Sequence, residues 1–176
     1  MSESETVYEG VRFTVKRRML TGSDGTQRPF DVVAHPGAAV ILPILGDGRI
    51  VMIENQRPAT GGSLLELPAG TIDPPEAPIT CARREIVEET GYAAGKIEPL
   101  TSFYTSPGIC DEYMHAFVAS ELTAGETAHE PLEFIRVLTL ELDDALRKVA
   151  DGGIIDGKTM LTLLYYSRFK TKTGRN

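Results

Sequence analysis

Three glutamates, Glu85, Glu88 and Glu89, lie within a span of five residues in the middle of the chain. Residues three or four positions apart share one face of a helix, so a helix here would bring the carboxylates together. Like charges at this spacing weaken an isolated helix, whereas carboxylate oxygens are good ligands for Mg²⁺ and Mn²⁺. The cluster therefore predicts either a solvated acidic face or a metal site that could clamp a phosphate.

Two neighbouring features favour the metal site over the solvated face. A loop beginning Pro68-Ala69-Gly70 precedes the cluster, and glycine permits a tight turn and a close approach of backbone carbonyls. Arg84 stands directly before the glutamates and can fix a carboxylate through two parallel hydrogen bonds. We expect a helix over Ala77–Thr90 that ends at Gly91, a plausible left-handed cap.

The stretch from Gly70 to Tyr92 reads GTIDPPEAPITCARREIVEETGY and resembles the Nudix box, G-x5-E-x7-R-E-U-x-E-E-x-G-U, with U an apolar residue. The matching residues are Gly70, Glu76, Arg84, Glu85, Glu88, Glu89 and Gly91, with Ile86 and Tyr92 at the apolar positions. The resemblance implies an α+β Nudix fold, with a mixed β-sheet sandwiched between helices. It also implies hydrolysis of a nucleoside diphosphate linked to another group.

The resemblance also implies roles for individual residues of the box. Glu85 and Glu89 would bind metal directly, Glu88 would bind or orient it, and the carbonyl of Ala69 would add a ligand. Arg84 would orient the first metal-binding glutamate. The implied cofactor is Mg²⁺ or Mn²⁺, with two or three ions in each site.

Outside the box, the chain resembles the ADP-ribose pyrophosphatase and nucleotide-sugar hydrolase branch of the family. Leu65–Gly70 is similar to that branch's E-[IL]-P-A-G segment, and Glu54–Arg57 is similar to its E-Q-[YF]-R strand end. These similarities imply that Arg57 and Glu66 contact substrate, and arginine suits diphosphate oxygens. Ser106-Pro107-Gly108 resembles the branch's S-P-G loop, which adds Pro107 and Gly108 to the candidate substrate residues.

Branch members carry a further glutamate on a later loop, which serves as catalytic base or as an extra metal ligand. Glu133 is our choice, because Glu133–Val137 resembles the family's E-[DE]-I-R-V. Glu126, Glu130 and Glu112 remain alternatives. Together with Arg84 and Glu88, Glu133 completes the set of residues expected to act in catalysis.

The substrate stays open between several possibilities. Asp156-Gly157-Lys158-Thr159 resembles a D-[AG]-K-T motif shared by ADP-ribose and GDP-mannose hydrolases. ADP-ribose, cleaved to AMP and ribose 5-phosphate, is the first expectation, and GDP-mannose or another nucleotide sugar is the alternative. A non-catalytic ADP-ribose sensor and a nucleoside triphosphate sanitiser fit less well. Tyr104 or Phe103 could stack on the base, although either could equally pack in the core.

Composition excludes several other classes of protein. The 176 residues carry a net charge of −7, which argues against nucleic-acid binding. The longest apolar run, Ala38–Leu45, contains Pro43 and is far shorter than the roughly 18 residues of a membrane span, so we expect no membrane association. The acidic N-terminus does not read as a secretory signal, and Cys81 and Cys110 form no disulfide framework, so we expect a reduced cytoplasmic protein.

We expect the chain to divide into an N-terminal β extension, residues 1–36, and, as the resemblance implies, a Nudix hydrolase domain, residues 37–176. In the extension, Val11, Phe13 and Val15 alternate as in a strand, a turn follows at Gly22–Gly25, and Phe30–Ala34 returns. Unpaired strands promote association, so we expect a homodimer whose sites are completed by the neighbour. The domain should contain strands at Ala38–Leu45, Arg49–Glu54, Ser63–Leu67, Ile97–Tyr104, Tyr113–Ala119 and Phe134–Leu140, and helices at Leu142–Ala150 and from Asp156 to about Phe169.

Overall fold

The computed structural model describes residues 4–11, 13–128 and 134–171, which form ten strands and three helices. The strands are β1 (Ser4–Glu9), β2 (Thr14–Thr21), β3 (Gln27–Ala34), β4 (Ala38–Pro43), β5 (Ile50–Arg57), β6 (Gly62–Glu66), β7 (Ala69–Thr71), β8 (Tyr92–Tyr104), β9 (Tyr113–Ala124) and β10 (Ile135–Leu140). The helices are α1 (Pro78–Thr90), α2 (Leu142–Ala150) and α3 (Gly157–Phe169). The expected α+β class is confirmed.

A mixed four-stranded sheet in the order β7-β4-β9-β8 forms the centre of the molecule. Strands β4 and β9 run parallel, with Ala38 opposite Met114, and the other pairs are antiparallel. All six residues of β4 are buried, as its unbroken apolar sequence predicts for a strand covered on both faces. Its side chains alternate between two core clusters, with Val40 in one cluster and Ile41 in the other.

Helix α1 covers one face of this sheet, and α2 and α3 lie on the opposite side. Cys81 and Ile86 of α1 pack with Ile41 of the sheet in one cluster. Ala145 of α2 and Leu163 of α3 belong to the other cluster. The sheet therefore lies between helices, as the resemblance implied.

A second sheet, β10-β5-β6, is antiparallel throughout and shares the cluster beneath α2 and α3 through Ile50 and Met52. Strand β5 ends at Arg57, and β6 ends at Glu66 just before the chain turns through Pro68 into β7. The side chain of Arg57 reaches back along the antiparallel pair to Glu66, so the two polar side chains meet beside the start of the box.

The N-terminal sheet, β1-β2-β3, corrects one expectation about the extension. Val11 and Phe13 do not continue the strand of Val15, because the chain turns between β1 and β2 where the Gly10 amide donates to the Phe13 carbonyl at 3.0 Å. The turn expected at Gly22–Gly25 is confirmed.

The helical boundaries agree closely with expectation. Helix α1 begins at Pro78 and is capped by Gly91 with φ of 74°, in the left-handed region that glycine tolerates. Asp156 caps α3 by accepting a hydrogen bond from the Thr159 amide at 3.0 Å. Among the described residues, no helix is both long and apolar enough to cross a membrane.

Candidate active site

Helix α1 presents the glutamate cluster on the side that faces the β6–β7 connection. Beside the glutamates on the buried part of the helix, Cys81, Ala82 and Ile86 pack against the sheet, which fixes the rotation of the helix about its axis. Glu85 and Glu89 are buried although they are acidic. A carboxylate is costly to bury without compensating partners, so their environment has to supply hydrogen bonds or positive charge.

Gly70 makes room for one of these carboxylates. A Cβ atom added at Gly70 would overlap the carboxylate of Glu85, so no residue with a side chain fits here unless Glu85 moves. Next to it, the Ala69 amide donates to Oε2 of Glu89 at 2.8 Å. The backbone of strand β7 therefore packs directly against the acidic face of α1.

Arg84 gathers the acidic side chains around its guanidinium group. Its Nη1 donates to Oε1 of Glu85 at 2.5 Å and to Oε2 of Glu88 at 3.1 Å. Its Nε and Nη2 donate to the two oxygens of Glu76 at 3.2 and 3.0 Å. The hydrogen bonds to Glu76, with the neighbouring carboxylates, raise the pKa of Arg84 well above its usual range, and the same bonds lower the pKa of Glu76.

A cleft of about 330 Å³ lies over this cluster. The residues that line it are Asn55, Arg57, Ala69, Gly70, Thr71, Asp73, Arg84, Glu85, Glu88, Glu89 and Ala128. The three box glutamates and Ala69 thus face one space, and the sequence-predicted metal residues are brought together.

The donor set of this cleft fits a hard divalent cation, since glutamate and backbone oxygens are what Mg²⁺ and Mn²⁺ take. Within the described segments, however, no three acidic, histidine or cysteine side chains are arranged ready to hold a metal ion. In this structure Nη1 of Arg84 donates to both Glu85 and Glu88 and supplies the positive charge there.

A larger cleft, of about 530 Å³, adjoins the first and shares the wall formed by Arg57 and Ala69–Thr71. Arg57 grips Glu66 through two parallel hydrogen bonds, Nε to Oε1 at 2.8 Å and Nη2 to Oε2 at 2.7 Å. These bonds raise the pKa of Arg57, which stays cationic. Arg57 faces both clefts, whereas the carboxylate of Glu66 is buried behind it.

Lys158 is a cleft residue that the sequence did not single out. Its Nζ donates to Glu66 and, at 2.9 Å, to Oδ2 of Asp156, and Lys158 lines the larger cleft. The signal was present, because the D-[AG]-K-T resemblance covers both residues, but it was used only to compare substrates. A lysine in the first turn after a capping aspartate points back along the helix toward β6, which explains the contact.

The Pro107 loop contributes to the larger cleft through its ends. Pro107 and Gly108 form an exposed turn and line neither of the two clefts. Thr105 and Glu112 do line the larger cleft, and Thr105 Oγ1 donates to Oε2 of Glu112 at 2.6 Å. Of the four candidate loop glutamates, Glu112 is therefore the one seen beside this cleft.

Glu133 and Glu130 lie outside the described residues. The chain on either side of them is anchored near the acidic cleft: the Ala128 amide donates to the Glu88 carbonyl at 3.0 Å, and the Gln56 amide donates to the Phe134 carbonyl at 3.2 Å. Glu126 is exposed on the segment leading to Ala128.

The two aromatic candidates for a base-stacking role both line the larger cleft but differ in exposure. Phe103 packs against the core cluster of the central sheet. Tyr104 is exposed, lines the larger cleft and lies 4.8 Å from Tyr113 between ring centroids. Tyr104 is therefore the more accessible of the two rings to a ligand in this cleft.

Residues 34–161 match the NUDIX domain model, so this chain belongs to the NUDIX family of hydrolases. A solved structure described as an ADP compounds hydrolase superposes over 99% of this chain and 95% of its own, with a TM-score of 0.85 and 24% sequence identity. That likeness shows the fold. Members of the family generally need a divalent metal ion.

Three curated relatives are similar over most of their length. An ADP-ribose pyrophosphatase of Bacillus subtilis is 39% identical over 77% of this chain and 74% of its own. A methanol dehydrogenase activator of Bacillus methanolicus is 36% identical over 93% and 89%, respectively. A GDP-mannose pyrophosphatase of Yersinia pestis is 40% identical over 73% and 69%.

Proposed function

We propose that this Nudix hydrolase cleaves the diphosphate linkage of a nucleoside diphosphate sugar, with ADP-ribose, split into AMP and ribose 5-phosphate, as the first candidate. The observation that carries the proposal is the wall that the two clefts share. There Gly70 admits the carboxylate of Glu85 on one side, and Arg57 faces both spaces. A diphosphate bound at this shared wall would lie close to both the acidic cluster and the fixed guanidinium group of Arg57.

Each side chain then has a distinct task in the proposed reaction. Glu85, Glu88 and Glu89, with the Ala69 carbonyl, would hold two or three Mg²⁺ or Mn²⁺ ions. Such ions supply charge neutralisation and polarise phosphoryl oxygens. Arg57, held by Glu66, would bind diphosphate oxygens in a fixed orientation, which lowers the entropic cost of reaching the transition state. Arg84 would orient Glu85, to which it already donates.

Glu133 remains our proposed general base, which accepts a proton from the attacking water. The anchoring of Ala128 on Glu88 and of Phe134 on Gln56 supports a role for the segment between them. Replacing each candidate by glutamine, E133Q, E130Q, E126Q and E112Q, tests the choice. We expect E133Q alone to remove the acidic limb of the pH dependence of kcat, because a general base must be ionised to act.

The decisive test of the proposal is E85Q with E98Q as a matched control, because Glu98 is an exposed glutamate of β8 paired with Lys96 at 2.8 Å. We expect E85Q to lower turnover of ADP-ribose by about a hundredfold or more, the scale on which lost electrostatic stabilisation acts, without loss of folding. E98Q should match the unaltered enzyme. Near-native turnover in E85Q would refute the metal assignment.

The preferred substrate calls for a panel of ADP-ribose, GDP-mannose, UDP-glucose and ATP, each with Mg²⁺ and Mn²⁺, with products separated by chromatography. The GDP-mannose alternative is supported by the Yersinia relative, which is as similar as the ADP-ribose pyrophosphatase of Bacillus. AMP from ADP-ribose supports our first candidate. Binding without turnover would indicate the sensor, and preferential ATP cleavage the triphosphate sanitiser.

We also propose a homodimer built on the N-terminal sheet, with the boundary between extension and hydrolase domain after residue 36. Seven large apolar side chains are exposed in the described part of this region, namely Val7, Tyr8, Val11, Phe13, Met19, Leu20 and Phe30. Exposed apolar patches mark association surfaces. The cytoplasmic location expected from the sequence stays a prediction.

A further inference from the structure

We propose that His35, at the end of the N-terminal extension, is a positioning residue that orients the carboxylate of Glu112 toward the sugar of the substrate. The inference rests on the proposed function for the identity of the ligand, and on the geometry of the described residues for everything else. It assigns the extension a part in the site of its own chain, beyond any contact with a second copy.

The hydrogen bonding of His35 fixes which ring nitrogen carries the proton. The Gly37 amide donates to Nδ1 at 3.1 Å, so Nδ1 offers a lone pair and bears no hydrogen. In the neutral ring, the proton then belongs to Nε2. Nε2 faces Oε1 of Glu112 at 3.7 Å, and both side chains are largely covered, with 19% and 23% exposed.

Glu112 is thereby approached by a donor at each oxygen. Thr105 Oγ1 donates to Oε2 at 2.6 Å, and Nε2 of His35 lies 3.7 Å from Oε1. The separation of 3.7 Å exceeds a hydrogen bond, and such distances commonly shorten when a ligand closes the site. The carboxylate therefore has a preferred plane before any ligand arrives.

The charge of Glu112 indicates which part of a ligand it meets. The same cleft contains Arg57 and Lys158, which attract phosphate oxygens. A carboxylate repels those oxygens and accepts hydrogen bonds from hydroxyl groups. Glu112 is consequently suited to accept hydrogen bonds from the hydroxyl groups of a sugar. The orientation of its carboxylate plane then sets the geometry of those hydrogen bonds.

Backbone contacts make His35 and the Glu112 loop move together. The Val33 amide donates to the Ile109 carbonyl at 2.8 Å, and the Asp111 amide donates back to Val33 at 3.1 Å. Oδ1 of Asp111 accepts from the His35 amide at 2.8 Å. The backbone of Val33 and of His35 thus holds the loop through three hydrogen bonds.

Two substitutions of His35 separate positioning from simple support. In H35N, the amide oxygen can replace Nδ1 for the Gly37 amide, but nothing reaches Glu112. In H35Q, the longer side chain can return a donor to Glu112 and loses the bond from Gly37. We expect H35N to raise KM for ADP-ribose about five- to tenfold with kcat within about twofold, and H35Q to recover most of the affinity. These changes correspond to one lost hydrogen bond at about tenfold per 1.4 kcal/mol.

The same variants give readouts that do not require turnover. Calorimetric binding of ADP-ribose should rank H35Q above H35N, and E112Q should be as weak as H35N. Long-range ¹H–¹⁵N NMR of the unliganded protein should show hydrogen on Nε2 of His35 and none on Nδ1. Equal KM for H35N and the unaltered enzyme, equal damage in H35Q and H35N, or a protonated Nδ1 in the neutral ring would overturn the inference. Failure of the proposed function would instead appear as absent cleavage of every nucleotide sugar, with the NMR result unchanged.

Discussion

Gly70 controls the acidic cleft by having no side chain. Because a Cβ atom here would overlap the Glu85 carboxylate, G70A must displace Glu85 from α1's inner face. We expect kcat to fall about a hundredfold or more, comparable with E85Q, because misplacing a reacting group by about 1 Å can cost that much. Steady-state kinetics with ADP-ribose and Mg²⁺ measures the loss.

G46A is the matched glycine control for this prediction. Gly46 lies in the β4–β5 turn, has no positive φ, and a Cβ atom there would meet nothing within 4 Å. It should retain native kinetics. If G70A were as active as G46A, the close packing of the Glu85 carboxylate against Gly70 would have no importance for catalysis.

Glu76 links the stability of the fold to pH through Arg84. Its pKa is lowered from 4.5 by the hydrogen bonds from Arg84, so the folded state favours the ionised form. A lowered carboxyl pKa adds stability that is complete above the unfolded value and is lost as pH falls through the folded value. E76Q has no carboxyl group at this position and lacks this contribution. The difference in the free energy of unfolding between the unaltered protein and E76Q should therefore be widest at pH 7.

Urea unfolding at pH 7 and at pH 3.5 measures this gap. The difference in the free energy of unfolding between E76Q and the unaltered protein should narrow at the lower pH, because below the ordinary pKa of 4.5 the Glu76 carboxyl takes up a proton more readily in the unfolded chain than in the folded one. A gap of equal size at both values would show that Glu76 contributes only through shape and packing.

The end of α3 that faces the clefts depends on one capping side chain. Asp156 accepts from the Thr159 amide at 3.0 Å and from Lys158 Nζ at 2.9 Å. D156A should reduce the free energy of unfolding by about 1 kcal/mol or somewhat more, since it removes the cap and a partner of a largely covered ammonium group. D156N keeps an acceptor for the amide and should lose less, as measured by urea unfolding. Equal losses in the two variants would assign the effect to charge alone.

Helices were predictable because their signals are local. Pro78 and Gly91 bound α1, and Asp156 begins α3, each through the conformation or hydrogen bonding of its own residue type. Strand β7 was not predictable, because Ala-Gly-Thr has no alternation and forms only by pairing with β4. The strand read through Val11 was wrong for the converse reason, since alternation was present but the chain turned.

The residues of the site show the same difference: contacts between near neighbours in the sequence could be predicted, whereas contacts between distant residues could not. The convergence of the three glutamates was visible in their spacing, and Arg84 beside Glu85 followed from adjacency. The link from Lys158 to Glu66 spans 92 residues and depends on α3 packing beside β6, which no short pattern encodes. Residues whose partners are distant in sequence need the fold to be known first.

The molecule as a whole presents two faces of its N-terminal sheet, and they differ in what they can bind. Register pairs Arg18 with Phe30, so side-chain alternation puts Leu20, Phe30 and Val32 on one face and Met19 on the other. Val32 is buried, whereas Leu20 and Phe30, further along the same face, are 51% and 38% exposed. Beyond Val32 this face therefore continues as an exposed apolar patch of Leu20 and Phe30, with Arg18 and Arg28 beside it.

A second copy of the chain would cover that continuation, so the face of Leu20 and Phe30 is where the proposed dimer should form. Light scattering should give about twice the 19.2 kDa mass of one chain, and L20D should shift it toward one chain, because it replaces an apolar contact of the interface with a charged side chain that is costly to bury. M19D places the same charge on the opposite face and should remain dimeric. If M19D but not L20D dissociated the dimer, the interface would lie on the face of Met19 and not on the face of Leu20. If the unaltered protein were a monomer, there would be no such interface.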